Sequence, residues 1–106
     1  MFLAWTTTAT KADAERLASG AVAANLAACV QIDGPIRSFY RWEGRLAQDE
    51  EYRLTFKCLS TQLSALAAFV HDHHPYTTPE WIALPATHVS EKYLSWAQAN
   101  ATSPPL

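Results

Sequence analysis

The chain has 106 residues, 49% of them hydrophobic, which fits one domain with one core. Its net charge of -2 predicts no basic surface for nucleic acid or an anionic membrane. No apolar run reaches the roughly 20 residues of a membrane span, and the start, MFLAWTTTAT, does not resemble a signal peptide. The two cysteines are therefore expected to be reduced thiols in a cytoplasmic protein.

The first elements are a strand and a helix. Phe2 to Thr7 is short, apolar and rich in threonine, a pattern typical of a buried strand. Thr10 is a suitable N-cap, and the side chain of Asp13 is placed to accept a bond from the amide of the cap. An apolar stripe at helical spacing predicts a helix from Lys11 to about Asn25. Because Gly20 costs such a helix about 1 kcal/mol relative to alanine, we expect a close packing contact there.

A long hairpin follows. Ala28 to Ile32 and Ile36 to Trp42 are two parts of one predicted strand, interrupted by Asp33-Gly34-Pro35. Glu43-Gly44 suits a two-residue hairpin turn, and Glu51 to Cys58 alternates between apolar and polar residues as a half-buried strand does.

The register of this hairpin predicts a β-bulge. Counted from the turn, an uninterrupted ladder sets Leu54 opposite Asp33, an apolar residue against a polar one. One extra residue at Gly34-Pro35 pairs Leu54 with Ile32 instead. Proline cannot donate to a ladder, and Gly-Pro is a composition typical of a bulge.

The last third of the chain predicts two helices and a strand. Thr61 is the expected cap of a helix whose apolar stripe runs from Leu63 to Val70, and Pro75 is expected to end it. Trp81 to Pro85 is a short apolar strand, and Ser90 opens a final short helix.

This order predicts an α+β, ferredoxin-like βαββαβ sandwich with a long central β-hairpin and a short C-terminal helix. Residues 1–100 form the single domain, and the tail 101–106 is expected to be disordered. Two helices cover one face of a four-stranded antiparallel sheet, so the other face stays bare in a monomer. Bare sheet faces and projecting hairpins usually find a partner, which predicts self-association.

Several motifs resemble the CutA divalent-cation tolerance family, and the match runs from about residue 3 to residue 97. The most specific are the Tyr-x-Trp-Glu-Gly run and the His-Pro-Tyr-x-x-Pro-Glu run. The resemblance implies a cytoplasmic homotrimer akin to PII signalling proteins, strands that pair between subunits, and a link to copper and other divalent cations. The matching segments are LAACV (26–30), SFYRWEG (38–44), LTFKC (54–58), HPYTTPEWIALP (74–85) and YLSW (93–96).

The resemblance also implies a metal site. In some members copper is bound by a first-strand cysteine, a histidine and the glutamate of the Pro-Glu pair, which correspond to Thr6, His73 and Glu80 here. His73, Glu80 and His74 are the predicted metal-binding residues, for Cu(II) or another divalent cation, and the hydroxyl of Thr6 is a poor replacement for a thiolate. The alternative is that the histidines bond the last carbonyls of the helix.

A second hypothesis is a PII-like module that binds a small ligand, such as an anion, in a cleft lined by Tyr40, Trp42, Lys57 and Tyr76. Packing at a core or interface is the alternative role for the two hairpin aromatics, and solvation is the alternative for Lys57. A third hypothesis is a structural trimer without a small ligand. No nucleophile motif or phosphate loop occurs, so we expect neither an enzyme nor a required cofactor.

Overall fold

The computed structural model describes residues 1–106 and confirms the predicted fold. Three helices and four strands follow one another in the expected ferredoxin-like order. They are β1 (Phe2–Thr8), α1 (Lys11–Ala23), β2 (Cys29–Trp42), β3 (Arg45–Cys58), α2 (Leu63–His73), β4 (Ile82–Pro85) and α3 (Glu91–Ala101). None of the three helices is long and apolar enough to cross a membrane.

The four strands form one antiparallel sheet in the order β2-β3-β1-β4. One face packs against α1 and α2. Its residues Leu54 and Phe56 are fully buried with Leu17 of α1 and Leu66 of α2. Side chains alternate along a strand, so the residues between these point to the opposite side. We call that side the open face; it carries Leu3, Trp5, Thr7, Arg53, Thr55, Lys57, Ile82 and Leu84.

The predicted bulge is confirmed. Leu54 pairs with Ile32, and the register shifts between Asp33 and Ile36. The turn residues Glu43 and Gly44 have φ angles of 50° and 75°, so both adopt the left-handed conformation of a two-residue hairpin turn. The paired strands β2 and β3 continue well beyond the short partners β1 and β4, so the hairpin projects from the sheet.

The N-cap predictions are right for α1 and α3 and wrong for α2. The Thr10 hydroxyl accepts a bond from the Asp13 amide at 3.1 Å, while the Asp13 carboxylate accepts from that hydroxyl rather than from the cap's amide. Ser90 caps α3 through the Tyr93 amide. At α2, Gln62 occupies the cap position instead of Thr61; its side chain makes no capping bond to the helix, and its oxygen accepts a bond from the Leu59 amide instead.

Helix α1 ends at Ala23, earlier than predicted, and the chain turns at Asn25 with a φ of 65°. The Asn25 side chain donates to the carbonyl oxygens of Ala101 and Ser103, and the Leu106 amide donates to the Ala23 carbonyl. The C-terminal segment therefore contacts the end of α1. The predicted close contact of Gly20 is confirmed, since a Cβ there would lie 2.7 Å from the Phe69 ring.

Candidate functional site

Residues 74–81, which we call the joint segment, connect α2 to β4 and are held by the end of β1. The imidazole of His74 is buried; its Nε2 lies 2.9 Å from the Thr7 carbonyl oxygen, and its Nδ1 accepts a bond from the Tyr76 amide. These contacts require a neutral ring that carries its proton on Nε2. Burial lowers the pKa of His74 by more than the bond to the Thr7 carbonyl raises it.

Two further hydrogen bonds fix the joint segment. The hydroxyl of Thr6, which is fully buried, donates to the backbone carbonyl of Glu80 at 2.7 Å. The hydroxyl of Tyr76 donates to a Glu51 carboxylate oxygen on β3 at 2.9 Å. Burial, together with this bond to Glu51, raises the pKa of Tyr76 well above its usual range. The segment is thus tied to both central strands of the sheet.

The predicted metal-binding positions have different surroundings. Nδ1 of the exposed His73 lies 2.8 Å from the Phe69 carbonyl oxygen, and its ring packs on that of Phe69 with centroids 4.4 Å apart. The Glu80 carboxylate makes no hydrogen bond or ion pair, whereas both ring nitrogens of His74 are engaged by the backbone. No three or more histidine, cysteine, aspartate or glutamate side chains come together as a metal-binding group.

Of the three positions that the resemblance relates to copper, Thr6 and Glu80 are in contact, but no hydrogen bond links either of them to His73. The Thr6 hydroxyl is occupied by the Glu80 carbonyl and contributes no thiolate. Nδ1 of His71 and Nδ1 of His73 each lie 2.8 Å from the carbonyl oxygen four residues earlier in α2, that of Ala67 and that of Phe69, one turn before the last carbonyls of the helix. Metal binding by His73, His74 and Glu80 stays a prediction.

Of the four predicted cleft residues, Tyr40 and Tyr76 lie near each other, whereas Trp42 and Lys57 lie elsewhere. Tyr40 donates a hydrogen bond to Asp49, and the Tyr76 bond to Glu51 lies two residues further along β3. Trp42 is 60% exposed at the end of the hairpin. Lys57 lies six residues beyond Glu51 along β3, so the two residues are about 20 Å apart. Its ammonium group is 5.9 Å from the centre of the Tyr93 ring.

A cavity of about 410 Å³ lies on the open face, next to the joint segment. Three of its lining residues are apolar and five are polar or charged. The apolar ones are Trp5, Ile36 and Ile82, and the others are Thr7, Arg37, Ser38, Arg53 and Glu80. The sequence analysis did not find this cavity. The register of β1 with β3 and β4 was the missing information, because it decides which residues of three distant segments share one face.

Comparison with known proteins places this geometry in a family. The sequence profile of the CutA1 divalent ion tolerance protein matches residues 2–100. The chain belongs to the CutA1 divalent ion tolerance family. A divalent-cation tolerance protein CutA of Yersinia pestis (strain Pestoides F) is 40% identical over 90 residues, which cover 85% of this chain and 76% of that protein.

Solved structures of CutA proteins share the whole fold. CutA of Synechococcus elongatus PCC7942 superposes with a TM-score of 0.91 at 40% identity, covering 95% of this chain and 89% of that one. CutA1 of Ehrlichia chaffeensis superposes with a TM-score of 0.93 at 27% identity, covering 96% and 95%. The CutA1 family is described by divalent-cation tolerance and not by a catalysed reaction.

Proposed function

We propose that this protein supports divalent-cation tolerance as a homotrimer and catalyses no reaction. The observation that carries the proposal is the open face, where Ile82 and Leu84 are 54% and 53% exposed beside Leu3 and Trp5. Leaving these side chains in water costs about 25 cal/mol for each Å² of apolar surface. Packing against a neighbouring copy removes that cost.

The hairpin supplies the second contact of the proposed trimer. Phe39, Trp42 and Leu46 are exposed on a ribbon that extends beyond the chain's own sheet. A ribbon with large apolar side chains on both sides is poorly stable alone in water. We expect the part of the hairpin beyond the bulge to cross the subunit boundary and to pack on the open face of the next copy.

The proposed cation site uses His73 and Glu80 and is completed by a neighbouring chain. Nε2 of His73 makes no hydrogen bond, and the Glu80 carboxylate has no partner. One nitrogen and one oxygen donor suit Cu(II) or Zn(II) with modest affinity better than Cu(I), which prefers thiolates. The cation needs a neutral imidazole, so protons compete with it for His73.

Calorimetry with Cu(II) and Zn(II) tests the cation site. We expect weak binding that His73→Ala removes, while His88→Ala, a change at an exposed histidine without a hydrogen bond, leaves it unchanged. Thr6→Cys should tighten copper binding by adding a thiolate donor. Tight copper binding that ignores His73 contradicts the assignment.

A PII-like small-ligand module is the second candidate, and the cavity on the open face favours it. Its volume lies in the range of small-ligand pockets, about 300–1,000 Å³. We also propose a cytoplasmic location, supported by Cys29 and Cys58, which are both free thiols.

A further inference from the structure

A side chain of α1 holds the C-terminal end of α2, on the side of the sheet away from the open face. Nη1 of Arg16 donates to the backbone carbonyl of His73, the last residue of α2, at 3.2 Å. A carbonyl at this position has no partner within its own helix. The guanidinium also brings a positive charge to the negative end of the helix dipole, where it is stabilising. Arg16 therefore closes a helix end that α2 cannot close by itself.

Two residues of α1 and its cap fix the direction of this guanidinium. Nη2 of Arg16 donates to one carboxylate oxygen of Asp13 at 3.1 Å, and the other oxygen accepts a bond from the Thr10 hydroxyl at 3.0 Å. The bonds from Arg16 and then Thr10 lower the pKa of Asp13, so its carboxylate stays ionised. Both partners of the ion pair are partly exposed, so the pair adds little stability. Its effect is to aim Arg16 at the end of α2.

The imidazole ring of His73 is oriented within the same last turn. Its Nδ1 lies 2.8 Å from the Phe69 carbonyl oxygen, and the two rings pack with centroids 4.4 Å apart. Phe69 in turn fills the space next to Gly20 of α1, which lies one turn after Arg16. A carbonyl oxygen can only accept a hydrogen bond, so a neutral His73 ring carries its proton on Nδ1. Free histidine in water favours the other tautomer, with the proton on Nε2.

We propose that Arg16 is a positioning residue for the cation site, because it holds the last turn of α2 so that His73 presents Nε2, and not Nδ1, to a divalent cation. With the turn intact, the Nδ1–H group is bound to the Phe69 carbonyl, the type of bond that orients metal-binding histidines. When the turn frays, both ring nitrogens face water and the ring rotates. This role rests on the proposed cation site only for its effect on binding; the tautomer of His73 follows from the helix end alone.

The charge of Arg16 makes the two ways in which it could act distinguishable. A guanidinium near His73 repels a divalent cation, whereas the neighbouring carboxylates of Asp13 and Asp72 attract one. Replacing Arg16 by a neutral residue removes the repulsion and frees Asp13. If charge alone mattered, the cation would therefore bind more tightly. The positioning role predicts weaker binding, so the sign of the change separates the two.

NMR spectroscopy of the ¹⁵N-labelled full-length protein at pH 8 in EDTA tests the ring geometry without a metal. Correlations between the ring C–H protons and the two ring nitrogens show which nitrogen carries the proton. We expect His73, assigned as the signal that His73→Ala removes, to be mainly the Nδ1–H tautomer. His88, an exposed histidine without a hydrogen bond, should be mainly the Nε2–H tautomer. A His73 signal of the same type as that of His88 overturns the proposal.

Arg16→Gln assigns the role to Arg16. The fraction of the Nδ1–H tautomer at His73 should fall, and calorimetry should show Zn(II) binding weakened by about threefold or more. This loss is smaller than the roughly 10–100-fold typical of a direct partner of a metal ligand, because Arg16 acts one contact further away. Lys11→Gln, which removes an exposed charge from the same helix, is the matched control and should change neither readout.

A second variant separates positioning from a general loss of structure. Asp13→Asn keeps the guanidinium but removes its charged partner, and it should lower the Nδ1–H fraction by less than Arg16→Gln does. Backbone amide spectra of both variants should keep the signals of the sheet. An unchanged His73 tautomer in both variants overturns the proposal, as does tighter Zn(II) binding in Arg16→Gln.

The positioning role and the cation site fail separately. If Arg16→Gln shifts the tautomer but the unaltered protein binds no Zn(II), the cation site is rejected and the control of His73 by Arg16 is supported. If Zn(II) binding requires His73 but neither readout responds to Arg16→Gln, the cation site is supported and the positioning role is rejected.

Discussion

The hydroxyl of Thr6 donates a 2.7 Å hydrogen bond to the carbonyl oxygen of Glu80. A cysteine at this position would offer a soft metal ligand, whereas threonine holds the joint segment to β1. The next residue of β1, Thr7, accepts a bond from His74 at the other end of the same segment. Two consecutive residues of one strand therefore fix both ends of the joint segment.

Thr6→Val should destabilise the protein by about 1–3 kcal/mol, the cost of leaving a partly buried carbonyl without its donor. Valine has the shape of threonine, so the core keeps its packing. Thr55→Val is the control, because Thr55 lies on the open face and makes no side-chain hydrogen bond. Its free energy of unfolding should stay within about 0.5 kcal/mol of that of the unaltered protein. Urea unfolding measures both, and equal stability of the two variants contradicts the role of the Thr6 bond.

The candidate site was only partly predictable from the sequence. His73, His74 and Glu80 were selected from the sequence as candidate site residues, and Pro75 predicted that α2 ends there. The sequence could not show that both ring nitrogens of His74 contact backbone groups, because one partner, Thr7, lies 67 residues away. It also could not place Trp5, Arg53 and Glu80 around one cavity, which depends on the pairing of three strands.

Gly34→Ala should destabilise the bulge by more than Gly44→Ala destabilises the hairpin turn. Gly34 has a φ of 150°, and an added Cβ would lie 2.8 Å from the Tyr52 ring and 3.0 Å from the Glu51 carbonyl oxygen. At Gly44 the φ is 75° but no atom lies within 4 Å. We expect Gly44→Ala to lower the free energy of unfolding by about 1–2 kcal/mol through backbone strain alone. Gly34→Ala should lower it by at least about 1 kcal/mol more, because the added Cβ overpacks the site.

Chemical unfolding of the two glycine variants measures this difference. Equal losses of stability would show that the backbone conformation alone requires glycine at Gly34, and that the contact with Tyr52 adds nothing.

The fold was more predictable than the site because it depends on local patterns. The bulge followed from one mismatch, Leu54 against Asp33, which a single extra residue removes. The cap of α2 was mispredicted, although Thr61 is a good cap residue, because the longer side chain of Gln62 also reaches the Leu59 amide and the Asn25 carbonyl. The Asn25 carbonyl lies 37 positions away along the chain, so no local rule contains this contact.

Stability should fall as pH drops below about 6.5, and His74 should account for part of the fall. Its pKa in the folded protein is lowered by burial, so between pH 6.5 and that lower value the unfolded chain binds the proton and the folded chain does not. His74 therefore makes its full contribution to the free energy of unfolding above its pKa in the unfolded chain. That contribution is lost as the pH falls to its pKa in the folded protein.

Melting temperatures from pH 8 to pH 5 test this linkage. His74→Gln should flatten the profile, because glutamine does not titrate, although it should also lower stability at pH 8. His88→Gln, at an exposed position, should reproduce the profile of the unaltered protein. A profile that keeps its full slope in His74→Gln contradicts the role of His74.

Trp42→Ala should reduce stability by about 3–5 kcal/mol if Trp42 packs in the subunit interface. In a single chain Trp42 is 60% exposed, so an isolated subunit should lose much less. Trp96→Ala on α3 is the comparison, since Trp96 is 46% exposed and packs on Tyr93 within its own chain. Thermal unfolding at several chain concentrations measures both, and an unchanged melting temperature for Trp42→Ala shows that the hairpin aromatic stays in solvent.

The central claim is that the open face and the hairpin complete the fold only in a homotrimer. Light scattering coupled to size-exclusion chromatography in dilute solution tests it most directly. We predict one species of about 35 kDa, three times the 11.7 kDa of the chain. A single species of 11.7 kDa contradicts the claim.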